Sequence, residues 1–170
     1  MDENYYVVSI AIRRYADTHL LEISHSDPSS EAQVAPVRGE TRFDVQELLG
    51  LQAAHEHYGR ALTRQLFRDE GIKRRFLQTE VAARASGALL RLSLCVDASA
   101  QELHGLRWEL LRHPETGALL ATSETLLLSR FMISHDWRPV KLRARTELKA
   151  LVVISAPPAE ALEKLGLAAV

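Results

Sequence analysis

A single cysteine, Cys95, stands among 170 residues, which excludes an internal disulfide framework and any multi-cysteine zinc site. Long apolar runs are missing too. The longest that looks buried, Leu148 to Ile154, contains Lys149 and falls well short of the roughly 18 to 20 residues needed to cross a bilayer. The opening MDENYY carries no basic region followed by an apolar stretch, so no secretory leader is expected and a reducing, cytoplasmic setting fits. Neither sign of charge is in excess. Lys and Arg number 21 against 22 Asp and Glu, a balance that gives no bulk attraction toward nucleic acid or a membrane surface. No Gly-rich phosphate loop and no Ser flanked by glycines at an elbow occurs, which removes support for nucleotide binding and serine hydrolysis.

What is present suffices for one globular core, because 46% of the residues are apolar and chains of this length usually form one domain. Tyr5 to Tyr15 and His19 to Ser26 are β-branched, aromatic or alternating around Ala16-Asp17-Thr18, the pattern of a hairpin. A third strand is expected between Val34 and Phe43, confined by Pro36 and Gly39 to a sheet edge or a bulge. Asp44 and Glu47 have capping-box spacing. Apolar residues then recur at three- and four-residue steps from Leu51 to Leu66 and from Ile72 to Val81, predicting two or three helices up to Ser86. After Gly87, Ala88 to Val96 alternates as a strand with one strongly apolar face and Cys95 on the mixed face. Ser99 and Glu102 repeat the capping-box spacing and start a predicted helix carrying Trp108 and Glu109, which stops at Pro114. Strands follow at Ala118 to Thr122, Thr125 to Phe131 and Leu148 to Ile154, and Ala156-Pro157-Pro158 leads into a short helix.

Candidate chemistry is sparse. Cys95 falls mid-strand with no helix start or Gly-rich elbow to favour its thiolate, so it reads as structural. His55 and His57, two apart on a helix, point about 200° away from each other and do not make a metal site. His104 and His113 read as solvent-facing or capping residues. The basic run Arg138, Lys141, Arg143 and Arg145 lacks interleaved aromatics beyond Trp137 and reads as a solvated loop. No catalytic, cofactor-binding or metal-binding residue is assigned.

Leu92-Ser93-Leu94-Cys95-Val96-Asp97, Leu106-Arg107-Trp108-Glu109-Leu110-Leu111, His113-Pro114-Glu115-Thr116-Gly117 with Leu119-Leu120-Ala121, Leu128-Ser129-Arg130, and finally Leu148 to Pro157 follow one another in this order. The succession resembles the first half of the CHAT domain, a caspase-like cysteine peptidase family of clan CD. One departure is Arg107, where the family commonly has proline, and an exchange there is expected to matter little. The resemblance implies an α/β fold in which residues 1–86 are an N-terminal hairpin and helical region and residues 87–170 the first, non-catalytic part of a caspase-like, mostly parallel sheet. It further implies a catalytic His and Cys beyond Val170, so that this chain is the amino-terminal portion of an endopeptidase of bacterial signalling or defence. The implied partners are the rest of the peptidase or tetratricopeptide-type regions, with peptide substrate bound only alongside the missing half and homo-oligomers possible. A protein-interaction module and an inactive CHAT scaffold are the alternatives. Trp108 is expected to be a core anchor, and Glu109 to accept hydrogen bonds from loop amides or an arginine.

Overall fold

The computed structural model describes residues 5–28 and 34–131. The chain divides into two compact units, Met1–His135 and Asp136–Val170, and every described residue lies in the first. The expected features at Trp137, at the basic run from Arg138 to Arg145 and at Leu148 to Ile154 fall outside the described residues.

The fold is mixed α/β. Strands β1 (Tyr5–Tyr15), β2 (Thr18–Ser26), β3 (Val37–Thr41), β4 (Leu89–Val96) and β5 (Leu126–Phe131) form one sheet in the order β3-β2-β1-β4-β5. The β1–β2 and β2–β3 ladders are antiparallel, and the β1–β4 and β4–β5 ladders are parallel. Register explains the core. Ile10 lies opposite Ile23 on β2 and Leu94 on β4, while Ile12 lies opposite Leu21 and Val96. Leu90 and Leu92 of β4 face Leu126 and Leu128 of β5. Because side chains alternate at period two, the even positions of β1 and β4 line one buried face. Ser93 and Cys95, on the opposite face of β4, are buried as well.

Three helices follow the sheet's antiparallel side: α1 (Val45–Gly50), α2 (His55–Leu66) and α3 (Glu70–Ala85). The long helix α3 packs across β1 to β4, burying Ile72 and Phe76. Asp69 caps its start by accepting from the Gly71 and Ile72 amides. β3 is the edge strand that Pro36 and Gly39 foretold. Gly39 serves a close approach there, since a Cβ would meet Ile72 Cγ1 at 2.7 Å and the Asp69 carboxyl group.

Sequence and structure part company between Gln101 and Thr122. The predicted continuous helix is instead two short 3-10 turns, Gln101–Leu103 and Trp108–Leu110. Ser99 and Glu102 form no capping box: the Ser99 amide donates to Asp97 Oδ1, and Glu102 turns toward the hairpin. Likewise the predicted strand at Ala118 to Thr122 is reduced to one bridge, Arg112 to Leu119, followed by a 3-10 turn at Leu120–Thr122. Short-range bonds satisfy most backbone groups here, and α2 supplies the partners of three more. The Arg107 amide donates to the Tyr58 hydroxyl at 2.9 Å. Thr63 Oγ1 donates to the Arg112 carbonyl and accepts from the Arg112 amide. At Gly59, a Cβ would collide with the Leu110 carbonyl oxygen.

Candidate functional site

Strand β1 carries the core face from Tyr6 to Ile12, and the next side chain on that face is Arg14. Its cross-strand neighbour is His19 on β2, and His19 in turn lies opposite Thr41 on β3. The apolar ladder therefore gives way to a polar one at the carboxyl end of β1. That end of a parallel pair is where open α/β sheets present ligand crevices. A cleft of about 830 Å³ opens here, lined by Arg14, His19, Arg42, Arg64, Arg68 and Glu102 among others.

Glu102, delivered by the segment that follows β4, accepts from Arg14 at 2.7 Å and meets His19 Nε2 at 2.9 Å. Burial by itself would raise the Glu102 carboxyl. Its own backbone N–H, the His19 ring and the Arg14 guanidinium outweigh that effect and hold it below the ordinary 4.5. His19 is buried and stacks edge-on against Phe43, which packs in the same way against Trp108. Because the ionised Glu102 accepts, Nε2 must carry the proton, and the buried Nδ1 is left without a partner.

On the other wall, Glu47 accepts from Arg64 at 2.6 Å and from Gln65 Nε2 at 2.8 Å. The Asp44 side chain accepts from the Glu47 amide as the capping-box spacing predicted, but the reciprocal bond belongs to Gln65, whose Oε1 takes the Asp44 N–H. Arg42 and Arg68 are exposed and engage no carboxylate among the described residues. The cleft lining contains no Ser, Thr, Cys or Lys. Among the described residues it offers guanidiniums and carboxylates suited to recognition.

The residues singled out in the sequence lie elsewhere. Cys95 is buried in β4, opposite Ala11 and Phe131. Trp108 is buried, and its indole N–H donates to the Leu103 carbonyl at 2.9 Å, as expected of a core anchor. Glu109 does not match expectation: it is exposed and makes no hydrogen bond or ion pair with the described residues. Arg107 matters more than its departure from proline suggested, since its amide satisfies Tyr58 and its side chain reaches the Gln52 carbonyl and His55. His104 Nε2 contacts the Asp97 carbonyl oxygen. His113 is buried rather than solvent-facing. Its Nδ1 accepts the Glu115 and Thr116 amides, and its Nε2 meets Glu80 at 2.9 Å. That pairing caps the turn at Pro114–Gly117, where Gly117 has a φ of +71°.

Among the described residues, no group of three His, Cys, Asp or Glu side chains is placed to hold a metal ion, and no helix is long and apolar enough to cross a membrane. No family model, curated protein or solved structure matches the chain.

Proposed function

We propose that this chain is the amino-terminal, non-catalytic portion of a CHAT-type, caspase-like cysteine endopeptidase. The observation that supports it most is the setting of the Trp-Glu-Leu-Leu segment. Strand β4 runs parallel to β1, Trp108 follows it into the core, the His-Pro-Glu-Thr-Gly turn comes next, and β5 returns parallel to β4. In this proposal the described sheet is scaffold, and a thiolate and histidine supplied beyond Val170 attack the peptide carbonyl. Partners are the polypeptide carrying that half or tetratricopeptide-type regions, with self-association as a further mode. The setting is cytoplasmic bacterial signalling or defence.

The test compares this chain with a product extended through the coding sequence after Val170, both assayed on a broad peptide library. Cleavage by the extended product alone is expected. Turnover by the 170-residue chain that Cys95→Ser abolishes, with folding intact, would sink the proposal. The second reading is a protein-interaction module, favoured by a cleft that offers the exposed guanidiniums of Arg42 and Arg68. If the extended product folds but also fails to cleave, the module takes precedence.

A further inference from the structure

Arg60 and Arg64 lie one turn apart on α2, and Arg68 continues the four-residue spacing just past its end. All three are exposed and line a groove of about 570 Å³ distinct from the cleft at the sheet end, although Arg64 and Arg68 border both. Lys73 of α3 and Arg112 complete five cations, against the two carboxylates Glu70 and Glu115. Arg60 and Arg64 pair with Glu56 and Glu47, neither of which lines the groove, while Arg68 and Lys73 make no ion pair with the described residues. With Glu47 and Glu56 counted, five cations meet four carboxylates, so the groove keeps a small positive excess that rests on Arg68 and Lys73.

The opposite wall is built in advance. It is the His113–Gly117 turn, held by the two amides on His113 Nδ1, by Glu80 on Nε2 and by the Gly117 amide on the His113 carbonyl at 2.9 Å. Arg112 is fastened to it by a 2.8 Å bond to the Gly117 carbonyl, and its buried Nε lacks a partner. A groove with fixed walls loses little freedom on binding.

We infer that this groove docks an acidic peptide segment, in extended conformation, of a partner protein. Spacing favours that occupant. Four helical residues rise about 6 Å, close to the roughly 6.6 to 6.8 Å between alternate side chains of a strand, so carboxylates two peptide positions apart fall in step with Arg60 and Arg64 of α2. Single-stranded nucleic acid suits the groove less well, because its one aromatic, Phe67, is buried and unable to stack on a base. This inference stands apart from the peptidase proposal and holds for an inactive module equally.

The experiment uses the whole chain and fluorescein-labelled ten-residue peptides, read by anisotropy at about 50 mM salt, where charge pairing is least screened. A peptide alternating Glu and Ala is expected to bind, and one with the same number of Glu residues in a single block to bind more weakly. Arg68→Ala combined with Lys73→Ala should weaken the alternating peptide about tenfold, as two lost charge contacts allow. Arg38→Ala, on β3 and outside the groove, should leave it unchanged. Circular dichroism confirms that each variant is folded. Equal loss on Arg38→Ala, no preference for the alternating peptide, or tighter binding of a ten-nucleotide uridine oligomer would each overturn the assignment.

Discussion

Trp108 and Arg107 are adjacent and are held by different forces. The indole is buried against Phe43 and satisfied by the Leu103 carbonyl. Trp108→Ala is therefore expected to cost about 3 to 5 kcal/mol, the range for emptying a buried aromatic site. At Arg107 the important atom is the amide hydrogen. Arg107→Pro removes the N–H that the buried Tyr58 hydroxyl accepts, a loss of roughly 1 to 3 kcal/mol, although its φ of -83° is near that of proline. Urea denaturation checks both. A midpoint unchanged in Trp108→Ala would contradict the core role, and one unchanged in Arg107→Pro would mean that Tyr58 finds another partner.

Helix α2 shows how an element can conflict with local propensity. Glycine inside a helix costs about 1 kcal/mol relative to alanine, so Gly59→Ala would stabilise an isolated helix. In the folded chain the new methyl would fall on the Leu110 carbonyl oxygen and against Arg112. Neither backbone has room to yield, because Tyr58 and Thr63 tie the same helix to Arg107 and Arg112 on either side. Overpacking of this kind typically costs 1 to 3 kcal/mol and outweighs the propensity gain. Gly59→Ala is expected to lower the thermal midpoint. A rise in that midpoint would show that the 108–112 segment slides away freely.

Across the whole molecule, the Arg14–Glu102–His19 cluster joins the far end of the hairpin to the segment after β4, spanning 83 to 88 positions of sequence. Folding holds the Glu102 carboxyl below its ordinary 4.5. Its contribution to stability is consequently complete above that ordinary value, and disappears as pH falls through the folded value. Glu102→Gln should lower stability at pH 7 and lose less on acidification, so that the two denaturation midpoints converge at the acid end. Parallel curves would exclude Glu102 as a source of the pH dependence.

Periodicity alone was enough to place β1, β2 and β4 and to outline α2 and α3, because burial of one face imposes a repeat that any short window displays. It also marked Trp108 as core, and Pro36 with Gly39 as signs of an edge strand. The segment from Gln101 to Thr122 departs from its local pattern for a physical reason. Its apolar residues do point inward at helical spacing, but the Arg107 amide and the Arg112 amide and carbonyl are satisfied by Tyr58 and Thr63, 49 positions away, a source no local pattern reveals. The role of Gly59 was hidden for the same reason, whereas the capping role of His113 was one of the two its sequence position allowed and only its burial and its bond to Glu80 were not. The cleft at the sheet end was invisible as well: Arg14, His19 and Glu102 each look like ordinary surface residues until strand register brings them to one place. Sequence determined which faces are apolar, since that depends on each residue's own neighbours. Only the tertiary structure decided which polar groups meet, because strand pairing and helix packing choose those partners.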